Sequence, residues 1–417
     1  MTTELAPYLI RGRAKLVPTS TTPVKAWVSI SAFYSEAMKV LFIGIHGYDF
    51  AYTRVRCYNF AKLLRERGIP AEVLTFQEAF SPWVKDDGML RLGDREKLFQ
   101  SGRAVARLLR ERGTILYVQK AHWHAAAPFL FRRLGLNRFI LDYDDWDLDR
   151  SPFFSRSCLN RLIFGATGME QVTAAIAARA DACVASTSPL YELMRSYNQD
   201  SFLIPTGVDT ERFRRKSLPP ENGITVVWNG KIWGRVVYEN VRFCIDCFTE
   251  VRRVHNVIRL FIAGDGDWMG KLRDYVREHR IGGVEFVGWI EPDRMPEFLA
   301  QAHIGLLPLI PDTENADWMR CKSPTKFFEY MAMELPTVAS RYGEVESIVT
   351  DGRESFLAAN RQEFVDKLCV LVENESLRRE MGKKARARVE EKYCHKVMGD
   401  GLVKVIERVM RRGHHER

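Results

Sequence analysis

The chain has 417 residues, 46% of them hydrophobic and 28% charged, with a net charge of +9. That length exceeds one ordinary core and implies two domains, and the composition is that of a globular protein rather than a disordered one. No run of eighteen apolar residues exists to make a transmembrane helix, and no apolar segment follows Arg11, Arg13 and Lys15 to make a secretory signal, so a cytoplasmic location is expected.

Residues 1–37 read as an extension, with Pro7, Pro18, Pro23 and a Ser/Thr cluster from Thr19 to Thr22; Met38 could be the natural start. A folded pattern begins there. Val40–Ile43 is a continuous apolar run, as a parallel strand buried on both faces requires. A loop with Gly44, His46 and Gly47 follows. Cys57, Phe60, Ala61 and Leu64 then mark a helix that stops near Gly68 and Pro70. Strands are predicted at Val73–Phe76, Thr114–Val118, Arg138–Tyr143, Ala182–Ala185 and Phe202–Pro205, with an Ala-rich helix over Val172–Ala180. Such βαβ units need a parallel sheet with right-handed crossovers.

From Arg214 to Gly223 the chain turns polar and carries Pro219 and Pro220, a linker signal. The alternation then restarts. Strands are predicted at Ile224–Trp228, Leu260–Ala263, Val284–Val287, Ile304–Leu307 and Thr337–Ala339, with a helix after Ser323. Two βα series separated by a linker imply an α/β architecture of two doubly wound, Rossmann-like domains. Ligands in such sheets lie beyond the carboxyl ends of the strands, so the cleft between the lobes is the expected site. Cys244 and Cys247 form a lone CxxC, but Val241, Cys244, Ile245 and Phe248 share one helix face, so these thiols read as core. The eight cysteines are scattered and read as reduced. From Ser376 to Arg417 there are thirteen Lys/Arg against six Asp/Glu; this basic end could meet anionic lipid or be a solvated helix face. No zinc-finger spacing and no basic stretch interleaved with aromatics points to nucleic acid.

The most informative stretch is Cys321–Ser340, CKSPTKFFEYMAMELPTVAS. Ser323 is a good N-cap and Pro324 a good first helical residue. The amides of Thr325 and Lys326 would then form an anion site at the helix start, reinforced by the Lys326 charge. Glu329, one turn on, could accept two hydrogen bonds from a ribose diol. The plainer alternative is a capped helix in which Lys326 and Glu329 pair with each other. Asp142, Asp144, Asp145 and Asp147 cluster at a strand end and could hold a divalent metal. His122 and His124 follow a strand beside Lys120, where a histidine could bond a sugar or move a proton; His46, in the first loop, has the same standing. Arg150–Phe164 mixes Phe153, Phe154, Leu162 and Phe164 with Arg156 and Arg161, a membrane-facing or core-covering segment. Gly264-Asp265-Gly266 fails the dinucleotide spacing, since the next glycine is Gly270, and reads as a tight turn.

Four segments in order resemble glycosyltransferase family 4, which has the GT-B fold: IPTGVDTERF (Ile204–Phe213), LFIAGDGDWMGKL (Leu260–Leu272), VEFVGWIEPDRMPEFLAQAHIGLLPL (Val284–Leu309) and SPTKFFEYMAMELPTVAS. The resemblance implies a 38–215 acceptor domain and a 222–395 donor domain facing each other across a cleft, followed by a basic helix over 396–417 that could pack back on the first domain. It implies a retaining transferase that uses a nucleotide sugar, a UDP- or GDP-sugar, as substrate, with no cofactor and no metal, and a glycan, glycolipid or small molecule as acceptor. Peripheral contact with the inner face of a membrane would suit such an acceptor. Residue by residue, Glu329 would hold the ribose, and Ser323, Thr325 and Lys326 the diphosphate. Lys231, where the family usually has Arg, and Arg235 would neutralise the leaving group. Trp289 and Ile290 would lie against the base, and Gly47 would let the first-lobe backbone approach the phosphates. His122 is the catalytic candidate of the first lobe, with His46 and Lys120 as alternatives for the donor sugar. The family often has a second Glu eight residues before the ribose Glu; here that position is Cys321. A nucleotide-sugar epimerase and a non-catalytic sugar-nucleotide-binding scaffold are the rival readings.

Overall fold

The computed structural model describes residues 39–148, 153–217 and 223–415; the 1–37 extension, Met38 and the linker prolines lie outside them. The first lobe is built on six parallel strands: β1 (Val40–Gly44), β2 (Ala71–Thr75), β3 (Ile115–Gln119), β4 (Arg138–Tyr143), β5 (Ala182–Ala185) and β6 (Ser201–Leu203). Their order is β2-β1-β3-β4-β5-β6. The second lobe has β7 (Ile224–Asn229), β8 (Ile258–Ala263), β9 (Val284–Gly288), β10 (Ile304–Leu307), β11 (Thr337–Ser340) and β12 (Phe356–Ala358), in the order β12-β11-β10-β7-β8-β9. Every pairing is parallel.

The central strands β1, β3, β7 and β10 are buried along their whole length, which is why they read as mostly apolar runs. One first-lobe core joins Leu41, Ile43 and Leu116 to Phe76 and Phe129, and the opposite face joins Val40 and Phe42 to Phe60 and Leu64. Cys244 and Cys247 lie inside the second lobe, packed with Val241 and Phe248. Phe153, Phe154 and Phe164 are core residues, whereas Arg156, Arg161 and Leu162 face solvent. No helix among the described residues is long and apolar enough to cross a membrane.

The strand order reverses between β1 and β3 in the first lobe and between β7 and β10 in the second. A crevice opens at such a switch point, beyond the carboxyl ends of the strands. The two crevices are lined by residues 44–48 and 120–124 on one side and by residues 229–233 on the other.

The helix after β1 starts at Ala51–Thr53, widens into a π-helical turn over Arg54–Asn59 and continues as Phe60–Arg65. Such a bulge re-aims side chains and often lies at a functional site. Here Arg56 turns inward and is fully buried. Its guanidinium makes a two-pronged bond to Asp142 (2.8 and 2.6 Å) and donates to Ile204 O at 2.6 Å. The final helix, His395–His415, crosses back to the first lobe. Met398, Leu402, Val405 and Ile406 fill the same core as Val40, Phe42 and Leu64, and Arg67–Asp400 and Arg408–Asp200 pair at its edges.

Candidate functional site

The second-lobe wall grows from two loops at strand ends. After β7 the chain runs Asn229-Gly230-Lys231-Ile232, and after β8 it runs Gly264-Asp265-Gly266. The loops zip together, Gly230 N donating to Ala263 O at 3.0 Å and Ile232 N to Asp265 O at 2.7 Å. A Cβ on Gly264 would overlap the Gly230 carbonyl, and one on Gly266 would overlap that of Ile232. The glycine pair is therefore more than a turn: it lets one backbone lie on the other and fixes Lys231. Lys231 Nζ sits in an aromatic ring of Phe50 (5.6 Å), Trp233 (4.9 Å) and Trp289 (5.1 Å), a favourable cation site. Phe50 comes from the first lobe, and its ring meets Trp233 at 5.8 Å.

The helix Thr325–Ala332 supplies the next pair. Tyr330 fastens it to β7 by donating to Asn229 Oδ1 at 2.6 Å. Lys326 Nζ lies 4.0 Å over the Trp228 ring, and a Cβ on Gly230 would come within 2.8 Å of it. Burial, followed by the nearby Lys322, pushes Lys326 down to about 7. Glu329 is raised by burial, an effect opposed by Arg54 of the first lobe, Arg212 and Lys326. Lys326 and Glu329 are half-buried.

The structure corrects several expectations. Ser323 does not cap the helix. Pro324 takes that place, with φ −87° and ψ 59°, and the turn through it carries Ser323 out of register, where its hydroxyl shares a 3.0 Å hydrogen bond with Thr206. The Thr325 amide donates to Ser323 O at 3.0 Å, so it does not point out to an anion. Gly47 does not expose backbone to phosphate: its amide donates to Gln77 Oε1 at 2.8 Å, and glycine is needed there because a Cβ would meet Glu78 Oε1 at 2.6 Å. Arg235 is largely exposed and pairs with Asp312 (3.7 Å) and Glu314 (3.6 Å) of the polar loop before Cys321. Trp289 is 41% exposed and donates to Glu291 at 3.1 Å, with Ile290 half-buried behind it.

The first-lobe wall is a buried polar cluster. Lys120, just past β3, adopts a left-handed backbone, φ +66°, which a lysine takes up only under constraint. This turn lets its amide donate to Asp142 O at 2.7 Å. Its Nζ reaches Asp147 (3.2 Å), Asp145 (3.6 Å) and Asp144 (3.9 Å) and lies 4.8 Å over Tyr52. His122 is buried, its Nε2 3.5 Å from Asp147 Oδ2. His46 stacks on Phe50 at 4.1 Å and bonds Tyr52 through Nδ1; burial lowers it to about 3, and so it is neutral. His124 bonds Gln119 O at 2.8 Å. The carboxylates predicted as possible metal ligands thus hold Arg56, Lys120 and His122 instead. Among the described residues no group of three His, Cys, Asp or Glu side chains is arranged to hold a metal ion.

The walls touch in this form. Thr187 Oγ1 donates to Cys321 O at 3.2 Å, and Ser188 N donates to Glu344 at 2.8 Å. Arg54, Arg212 and Glu344 escape any reading of the sequence because each acts across a lobe boundary that no local pattern reports. The two glycines at 264 and 266 are visible there, but their partner loop is not.

Residues 224–374 match the family model of glycosyl transferases group 1. The chain is 26% identical over 173 residues to a phosphatidylinositol N-acetylglucosaminyltransferase subunit of Arabidopsis thaliana, a match that covers 40% of this chain and spans only 36% of that protein. It is 24% identical over 300 residues to N-acetyl-alpha-D-glucosaminyl L-malate synthase of Bacillus anthracis, covering 68% of this chain and 72% of that one. Among solved structures, Anabaena HepE in complex with UDP superposes with a TM-score of 0.62 at 15% identity, covering 89% of this chain and 100% of that one. At that identity the likeness establishes the fold, two Rossmann-like lobes facing across a cleft in the GT-B arrangement.

Proposed function

We propose that the chain is a glycosyltransferase, a family 4-like enzyme moving a sugar from a UDP- or GDP-sugar to a hydroxyl of a glycan, glycolipid or small acceptor, with retention of configuration; the match of residues 224–374 to the family model of glycosyl transferases group 1 and the GT-B fold support this reading. The observation that carries this is the placement of Lys231, Lys326 and Glu329 around one switch point. Two cations stand where a diphosphate would lie, with a carboxylate one helical turn away for a diol.

In this reading Glu329 accepts from the ribose hydroxyls, Lys326 and Lys231 meet the diphosphate, and Trp289 and Ile290 flank the base. Charge grows on the leaving diphosphate as the sugar bond breaks, and the two preset lysines stabilise it there. Arg235 joins them only by leaving Asp312 and Glu314. The acceptor hydroxyl attacks from the face that the diphosphate leaves, and lobe contact excludes water from the reacting bond. His122, tied to Asp147, acts through that carboxylate. A lipid-linked acceptor would meet Arg156, at the start of the helix Ser157–Phe164, and Arg161 and Leu162 on it, at a membrane surface. The relative solved with UDP supports a uridine donor by analogy.

The test is a thermal-shift panel of UDP-, GDP-, ADP- and dTDP-sugars, with and without added magnesium. Stabilisation by one base is expected, because a ligand that binds only the folded state raises its apparent stability. No shift with any donor overturns the reading.

A further inference from the structure

Four carboxylates leave the end of β4, and three of them are spoken for. Asp142 is fully buried against Arg56. Asp144 is buried and accepts from Gln119 Nε2 at 2.9 Å. Asp147 is buried between Lys120 and His122. Asp145 differs: its side chain is 30% exposed, against 0, 3 and 12% for the others. It meets Lys120 Nζ at 3.6 Å and accepts from Trp146 N at 3.0 Å, which leaves a carboxylate further capacity to accept.

Its place in the cleft follows from its neighbours. Ser186 Oγ donates to Asp144 O at 3.1 Å, and the next residue, Thr187, donates across the lobe boundary to Cys321 O. Asp145 therefore lies beside the segment that leads into the donor helix. In the other direction Lys120 covers Tyr52, Tyr52 bonds His46, and His46 stacks on Phe50, which faces Lys231. The first-lobe wall thus runs from Lys231 at one end to Cys321 at the other. A sugar hanging from a phosphate held by Lys231 and Lys326 lies against this wall.

Where the second lobe meets this wall stands Cys321, a buried thiol packed into the first-lobe core and raised to about 12 by burial, and so neutral and a weak acceptor. Beside it stands a wall with four buried polar atoms that have no hydrogen-bond partner in the protein, His46 Nε2, His122 Nδ1, His124 Nδ1 and Asp144 Oδ1. Buried polar atoms are nearly always satisfied, so four of them on one wall of the cleft point to a polar ligand that completes their bonds. We infer that Asp145 binds the donor sugar, its carboxylate accepting hydrogen bonds from vicinal hydroxyls, and that Lys120 is the positioning residue that holds it there. Charge-assisted bonds of this kind are strong and directional. Three carboxylates around one lysine also disfavour an acidic sugar, so the donor carries a neutral hexose rather than a hexuronate. This inference rests on the nucleotide-sugar reading above.

The experiment measures the affinities of UDP, UDP-glucose and UDP-glucuronate, and of GDP and GDP-mannose, for the wild-type chain and for Asp145→Asn. With the base that binds, the nucleoside diphosphate should stay within twofold, while the neutral nucleotide sugar weakens fivefold or more and its preference over the hexuronate narrows. Asp145→Ser, which removes the carboxylate without adding an amide donor, should show the same selective loss. Equal weakening of the diphosphate and the nucleotide sugar, or no weakening of either, overturns the inference and leaves the donor reading standing. Failure of the wild-type chain to bind any of the five compounds sinks the donor reading itself.

Discussion

Lys326 provides a sharp test of where the diphosphate sits. In the free protein burial and Lys322 push its ammonium down to about 7, so at pH 8 only about a tenth of the molecules carry the charge. A diphosphate beside it restores the charged form and raises that value again. Binding then takes up protons: about half a proton at pH 7 and about 0.9 at pH 8. The sign is fixed by the direction of the shift. Affinity falls only about twofold from pH 6 to pH 7, then roughly tenfold for each unit above pH 8, up to the pKa of the bound form. A nucleotide sugar is the right ligand because its diphosphate has no titrating terminal phosphate near neutrality. Calorimetry at pH 8 in two buffers of different ionisation enthalpy counts the protons directly. Lys326→Arg should flatten the profile, since a guanidinium stays charged throughout. A wild-type affinity constant from pH 6.5 to pH 9, or an equal slope in Lys326→Arg, would refute the placement of Lys326 at the diphosphate.

Other perturbations bear on neighbouring parts of the argument. Glu329→Ala removes a charged hydrogen-bond acceptor worth about 1.5–3 kcal/mol and should weaken donor binding at least tenfold with the melting temperature little changed; a loss within twofold on titration would show that the ribose lies elsewhere. Gly264→Ala forces the residue 230–232 loop away and should lower donor affinity through Lys231, an effect read by the same titration. Asp142→Ala strands Arg56 in the core without its partner, at a cost of about 3–5 kcal/mol, measurable as a lower urea midpoint; Arg56→Met with Asp142→Leu should recover much of it. Leu402→Ala empties part of the core shared by the last helix and the first lobe and should cost about 2–5 kcal/mol, with the loss visible in the denaturation of that lobe.

How much of this is legible in the sequence depends on the range over which each residue's role is decided. Strands β4, β5 and β10 stand at the predicted residues, and β1 and β7 within a residue of them, because burial on both faces leaves a mostly apolar run that composition alone reveals. Strand β12 goes unseen: Phe356–Ala358 is an edge strand only three residues long. The helix Thr325–Ala332 is legible from Thr325 onward, yet its start is not. Ser323-Pro324 is a good capping pair by local preference, but Thr206 from across the chain competes for the serine hydroxyl. Gly47 misleads in the same manner, since its need for a missing side chain comes from Glu78, far along the chain, and not from a ligand.

The same logic explains why the first-lobe site reads as a choice among His46, Lys120 and His122. The structure makes them one assembly. Lys120 takes a left-handed backbone that no lysine prefers, so the wall around it compensates for strain, and three carboxylates from a single strand end supply that compensation. Strain of this kind is kept where surrounding structure over-determines it. The two lobes meet along the line from Lys231 to Cys321, with Lys231 and Lys326 on the second lobe and the carboxylates of the β4 end on the first. An arrangement split between two sheets could not be read from either one alone, and in the proposed reading it is this opposition that would orient a ligand with a charged diphosphate at one end and neutral hydroxyls at the other.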